Sequence, residues 1–514
     1  MHAPVTRRPT ITLAAGDLHR IATEAEAALI AASAPIYQRG GLVRPVVEDV
    51  AAAAGHRTKV ARLTQVKPAT IIDHLSRVAD FQRFNVRKAD YVRADPPKEV
   101  ADTILSRDGE WKFRRLSGLI TTPTLRPDGS ILSTPGYDPA TRLLLLDPPA
   151  MPAIPDAPTR EHALAALDLL DRLLDGFPFV DDASRSVGLS ALITPIVRGA
   201  LPVGPLHAVT APASGTGKSF LIDVSSGVLT GDRAPVLSVG DKAEETEKRI
   251  TAALLDGQAI VSIDNINGEF YSDLLCQAVE RPLVSLRPLG GSQLVKIENR
   301  ATFFATGNNL KLVSDMARRT IVCSLDSKIE RPELREFSGN PFSEVISNRG
   351  KYIAAALTVV RAYVVAGCPG TLPPLASFEA WSRLVRSALV WLGRADPVAT
   401  QEAARADDPG VADLKALMLT WTQAVGSEAR STKAIVAAST DRNMQGELIH
   451  EDLRDALMAV AADKRGTEVD PLRLGKYLGR NKGRVIADLR LAADKDTRTK
   501  QPVWTVETCG GQRG

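Results

Sequence analysis

Nine residues near the middle of the chain, Ala211-Pro212-Ala213-Ser214-Gly215-Thr216-Gly217-Lys218-Ser219, carry glycines, a lysine and hydroxyls at the spacing that phosphate chemistry requires. Gly215 and Gly217 let the backbone turn successive N–H groups toward an anion, and a helix starting there adds the positive end of its dipole. Thr216 sits between them, Lys218 would meet the outer phosphates of ATP as a point charge, and the Ser219 hydroxyl would bind Mg²⁺. The full GxxxxGK[ST] pattern is not met, because Pro212 stands where its first glycine belongs.

Such a loop works only if a strand delivers it and a helix follows. Leu206-His207-Ala208-Val209-Thr210 precedes it and Phe220-Leu221-Ile222 continues it, which reads as strand, glycine loop, helix. Two more apolar runs end in polar residues. Ala259-Ile260-Val261-Ser262-Ile263-Asp264-Asn265 reads as a buried parallel strand whose last carboxylate, Asp264, holds Mg²⁺ through water. Arg300-Ala301-Thr302-Phe303-Phe304-Ala305-Thr306-Gly307-Asn308-Asn309 reads as a second, with Asn308 placed to orient an attacking water. In Asp315-Met316-Ala317-Arg318-Arg319, either arginine would stabilise charge at a neighbouring subunit's γ-phosphate, and a solvated pair of surface charges is the plainer alternative.

The order GxGKS, apolar run with Asp-Asn, Ala-Thr-Gly-Asn-Asn, then DxxRR resembles the superfamily 3 helicase domain of phage and plasmid primase-helicases, the poxvirus-type group within the AAA+ class. The likeness spans about residues 184–361, and Leu125-Arg126-Pro127-Asp128-Gly129-Ser130 with Gly136-Tyr137-Asp138-Pro139 resembles the region before the helicase in those proteins. It implies an α/β fold with an AAA+-like P-loop ATPase core, ATP and Mg²⁺ as cofactors, and assembly into a ring, expected to be a hexamer, on DNA. It also implies a DNA-touching hairpin between Asp264 and the Asn308 strand. Residues 283–289, Gly290-Gly291 and residues 292–297 read independently as strand, turn, strand, with Arg287 and Lys296 placed to meet phosphates. One departure concerns the residue after Asp264: many AAA+ proteins have glutamate there, whereas Asn265 cannot accept a proton. Glu245 is the substitute base expected on this reading. The first 146 residues show no convincing DxD with a downstream catalytic histidine, so priming is not expected.

The 514 residues suit roughly three domains. With 44% hydrophobic, 24% charged and 5% aromatic residues, the chain should fold around a core of Ala, Leu, Val and Ile. A net charge of +4 is too small to mark a nucleic-acid protein globally, so any basic surface must be local. Apolar stretches stay short of the roughly 20 residues that cross a bilayer, so no membrane partner is expected. The first residues, Met1 to Arg8, have no signal-peptide core behind them, and a cytoplasmic location is expected. Cys276, Cys323, Cys368 and Cys509 form no CxxC pair.

Residues 1–146 read as an α+β N-terminal domain opening on a helix over 17–32 with Asp17 as its N-cap. Five prolines between 147 and 158 suggest an extended linker. The ATPase follows over 159–370, starting with a helix capped by Thr159 and one over 185–198. A single helix is expected over 345–366. A helical region covers 371–426, including a helix over 378–392. Over 427–514, helical patterns at 433–438, 452–462 and 471–478 precede strand-like segments, an order that suits a winged helix. Its basic residues include Arg480, Lys482, Arg484, Arg498 and Lys500, which favours duplex DNA. Two functions compete: an ATP-dependent ring helicase that acts on single-stranded and duplex DNA in replication of a phage, plasmid or integrated element, and an ATP-gated replication initiator or helicase loader with weak hydrolysis. A metabolic kinase is a poor third, since nothing resembles a lid for an acceptor substrate.

Overall fold

The computed structural model describes residues 8–51, 57–240, 243–288, 293–335, 339–406, 409–496 and 501–509. Its contacts divide the chain into two units, residues 1–310 with 319–401, and residues 311–318 with 402–514.

In the first unit a five-stranded sheet runs in the order Val236–Ser238, Ile260–Phe270, Thr302–Leu312, Leu206–Ala211, Thr320–Ser324. Leu206–Ala211 is an interior strand, parallel to both neighbours. A strand in that position is covered on both faces, which is why Leu206, His207, Ala208 and Val209 are all buried without alternation. His207 is accommodated by a contact of 2.9 Å between its Nε2 and the Ser190 hydroxyl, and burial pushes its pKa down to about 3, so the ring is neutral. Helices Asp182–Ile196 and Lys218–Thr230 pack together, and Arg349–Val365 packs on Arg160–Arg172. The Arg160–Arg172 helix starts in a capping box between Thr159 and His162.

Two expectations for this region need correction. The helix read over 345–366 is two helices, Pro341–Ser347 and Arg349–Val365. Asn348 breaks them at φ −128° and ψ 31°, and the apolar pattern runs on across the break. The helix read over 378–392 contains a π-helical stretch, Ser382–Arg386, beside which the Ser387 hydroxyl donates to the Ser382 carbonyl at 2.9 Å.

The N-terminal residues form a three-stranded sheet of Thr10–Leu13, Asp80–Asn85 and Asp90–Ala94. Helices Leu18–Ala31, Pro68–Val78 and Lys98–Ser106 cover a core that includes Leu29, Ile71, Leu75 and Phe81. Asp17 occupies the cap position, yet its side chain makes no capping bond and pairs instead with Arg20 at 2.5 Å. A second sheet, Tyr37–Gln38, Leu42–Ala51 and Arg57–Gln65, is antiparallel throughout.

Residues 147–158 have no regular secondary structure, as their prolines dictate. They are nevertheless seated on the helix Arg349–Val365. A Cβ at Gly350 would lie 1.9 Å from the Ala150 carbonyl oxygen, so only glycine lets the two backbones approach. Farther along the helix, Arg361 donates to the carbonyl of Asp156 at 3.1 Å and also to that of Gly129.

In the second unit, helices Thr432–Ala438, Glu451–Ala461 and Pro471–Asn481 precede an antiparallel sheet of Val485–Ile486, Leu489–Lys495 and Pro502–Thr508. Leu414, Trp421, Leu457, Leu474, Leu478 and Trp504 belong to its core. No helix among the described residues is long and apolar enough to cross a membrane.

Candidate functional site

The glycine loop turns from the strand Leu206–Ala211 into the helix Lys218–Thr230 through left-handed backbone at Gly215 (φ 76°) and Gly217 (φ 106°). Side chains rarely adopt these angles. At Gly215 a Cβ would also be crowded, standing 3.0 Å from the Cβ of Glu333. No side chain caps the helix, so its first N–H groups lack intrahelical partners. Thr216 steadies the turn from inside, being buried and donating from its hydroxyl to the Ala213 carbonyl at 2.8 Å.

Parallel register then places the chemistry. Ala211 pairs with Asn308, which sets the start of the loop beside the middle of the Thr302–Leu312 strand; the strand does not end at Asn308 as its polar pair suggested but runs on to Leu312. The Lys218 ammonium donates to Asn308 Oδ1 at 2.7 Å and to the Ala213 carbonyl at 3.0 Å. Partial burial lowers the pKa of that ammonium, and the nearby charge of Asp264 opposes the shift. Asp264 Oδ1 accepts from the Ser219 hydroxyl at 3.0 Å, from the Asn265 N–H at 2.9 Å and from the Thr306 hydroxyl. These groups line a cleft of about 510 Å³ in which Asp264 is the one carboxylate among the described residues. Asn265 itself is left-handed, with φ 60°, a conformation asparagine tolerates better than most residues, and the chain continues as strand to Phe270.

No family model matches this chain, and no curated protein matches it. Among solved structures, the C-terminal region of NrS-1 (residues 305–718, A form, apo) aligns with a TM-score of 0.35 and 12% identity. The alignment covers 87% of this chain and 100% of that one.

Lys218, Ser219, Asp264 and Asn308 therefore meet in one cleft, with Gly215 and Gly217 in its wall. Thr306 escaped the sequence reading because threonine inside an apolar run looks like an ordinary strand former. Its position two residues before Asn308 was the available signal, since alternate residues of a strand share a face.

Other expected residues lie elsewhere. Glu245 is on the helix Ala243–Asp256, half-exposed and 3.6 Å from Arg249, and is not in the cleft lining, so the structure does not bring the expected base to Asp264. Arg318 is partly exposed and pairs with Asp315 at 3.1 Å within a 3₁₀ turn, Ser314–Arg319. Arg319 is buried and bound to Glu280 at 2.5 Å, and Glu280 also accepts from the Ser377 hydroxyl at 2.5 Å. A buried, paired guanidinium holds structure together and is not presented to another subunit's phosphate. Arg319→Met removes the cation of a buried pair and should lower the free energy of unfolding by about 3 kcal/mol. Arg318→Met, at an exposed pair, should change it by less than about 1 kcal/mol. Denaturant midpoints measure both, and equal small effects would contradict this division of roles.

The expected hairpin is present as Leu283–Leu286 paired antiparallel with Val295–Glu298. Its Gly290-Gly291 turn lies outside the described residues. Arg287 and Lys296 are exposed. In the second unit Arg480, Lys482 and Arg484 are exposed, with Arg484 donating to Asn481 Oδ1 at 2.8 Å, while Arg498 and Lys500 lie outside the described residues.

Proposed function

We propose that the chain is an ATP-dependent, ring-forming DNA helicase or translocase built on a P-loop core of AAA+ type, serving replication of a phage, plasmid or integrated element in the cytoplasm. One observation carries the reading: Lys218, Ser219, Asp264 and Asn308 converge around a glycine-turned, uncapped helix N-terminus at one end of a parallel sheet. Lys218 is held by two neutral oxygens, which it can exchange for phosphate oxygens without breaking an ion pair. That exchange releases the Asn308 amide to orient water. Thr306 and the Asn265 N–H keep the Asp264 carboxylate aimed at Ser219.

The donors also fit Mg²⁺. A hydroxyl and a carboxylate oxygen 3.0 Å apart can flank one cation whose other positions are taken by phosphate and water. When bound, Mg²⁺ would neutralise phosphate charge as it builds in the transition state. Arg318 is the arginine proposed to act across a hexamer interface. In the second unit, three helices and a following antiparallel sheet support a winged-helix-like reading, with Arg480, Lys482 and Arg484 on duplex phosphates.

The alternative, an ATP-gated initiator or helicase loader, is favoured by Asn265 and by the absence of a second carboxylate from the described cleft lining. ATP turnover with and without single-stranded DNA separates the two. A motor should be stimulated by DNA and should lose that stimulation, with basal turnover kept, in Arg287→Ser/Lys296→Ser. A very low, DNA-independent rate with tighter DNA binding in ATP, and no separation of a forked duplex, would replace the motor by the switch.

A further inference from the structure

We infer that the groove between the N-terminal residues and the hairpin Leu283–Leu286/Val295–Glu298 holds single-stranded DNA, an inference that rests on the DNA-acting reading above. The groove has a volume of about 440 Å³, and Trp111, Arg115 and Lys296 line it. From the segment Trp111-Lys112-Phe113-Arg114-Arg115, Trp111 and Arg115 line the groove, Phe113 is buried, and Lys112 and Arg114 are exposed next to them in sequence. Among the described residues, no carboxylate pairs with Lys112, Arg114, Arg115 or Lys296. Exposed cations without an ion-pair partner are available to the phosphates of a polyanion.

Aromatic surface adjoins the cations. The Arg114 guanidinium lies over the Tyr137 ring at 5.2 Å, Tyr137 stacks on Tyr37 at 5.9 Å, and the Tyr137 hydroxyl donates to the Arg115 carbonyl at 2.8 Å. Trp111 is half-buried in the groove itself. Positive grooves interleaved with aromatic platforms bind strands whose bases are free to stack, and a duplex keeps its bases paired inside. Two acids also line the groove. Glu298 is already engaged by Arg142 at 2.8 Å and by the Ser117 hydroxyl, which leaves Asp108 as the opposing charge in the lining, with Glu110 exposed nearby.

The walls are fixed to each other. Arg39 is buried and donates to the carbonyls of Leu254 at 3.0 Å, Leu255 at 3.1 Å and Glu298 at 3.2 Å. Next to it, a Cβ at Gly40 would fall 2.2 Å from Val295 Cγ1, so the backbone rests directly on the hairpin. A groove held open in this way binds a strand without first ordering its own walls.

The test is fluorescence anisotropy of a labelled oligothymidylate of about 16 nucleotides, without ATP, at several salt concentrations. Arg115→Ser should bind about threefold more weakly than the wild type, and the slope of log affinity against log salt should shrink by about 0.7, the value for one lost phosphate contact. Arg115→Lys should keep the wild-type slope, which separates charge from packing. Oligothymidylate should also quench intrinsic fluorescence in the wild type and less so in Trp111→Phe. An unchanged slope in the serine variant, equal losses in the lysine variant, or binding to duplex alone would each overturn the assignment. Turnover of the wild-type protein, measured beside the titration, keeps the two readings apart. A wild-type protein without ATPase activity that still binds the oligonucleotide with this slope sinks the motor and keeps the groove, and normal turnover with an unchanged slope in the serine variant does the reverse.

Discussion

Lys218→Ala is expected to lower ATP turnover by at least about 100- to 1,000-fold, the cost of removing one preorganised charge from a phosphoryl-transfer site. The fold should survive. The ammonium bonds only to the Ala213 carbonyl and the Asn308 amide, so its loss strands no buried carboxylate. Phosphate release at saturating ATP, measured beside a thermal melt, tests both halves. A folded variant with near-normal turnover would remove the nucleotide-site assignment altogether.

Asp264→Asn should cost a similar factor and also change how activity depends on metal. Asparagine is the better probe than alanine here, because its amide oxygen can still accept from Ser219, Thr306 or the Asn265 N–H, which alanine would leave without a partner. Turnover should fall by about 100-fold or more, and the Mg²⁺ concentration for half-maximal rate should rise, since one negative charge is gone from the cation's site. Nucleotide binding without Mg²⁺ should be nearly unchanged, because Lys218 and the loop amides do not depend on that charge. An unaltered Mg²⁺ response would mean that Asp264 does not face the cation.

The site was legible in sequence to the extent that its residues end apolar runs. Asp264 and Asn308 stand out because they follow buried apolar runs, although the strands themselves continue to Phe270 and Leu312, and Lys218 and Ser219 because glycines bracket the turn before them. Thr306 was hidden by its own strand propensity. Arg319 was misread for a different reason. A run of charge looks solvated in one dimension, and only the packing of Glu280 and Ser377 around it shows that it is interior. Glu245 failed likewise: sequence shows its charge but cannot say which way its helix faces. In the fold, the three strands around the glycine loop and the Thr159 cap followed from local chemistry, while the N-terminal strands such as Leu42–Ala51 and Arg57–Gln65 did not. The break at Asn348 did not, because burial continues on both sides of it and periodicity senses only burial.

The seating of residues 147–158 has a mechanical consequence. A slack tether would let the N-terminal residues swing freely and would pass on tension only once it was taut. Here the connection lies along the helix Arg349–Val365, fastened near its start by the close approach at Gly350 and farther along by Arg361. A displacement of the N-terminal residues would therefore reach that helix at both fastenings together, without slack to take up first.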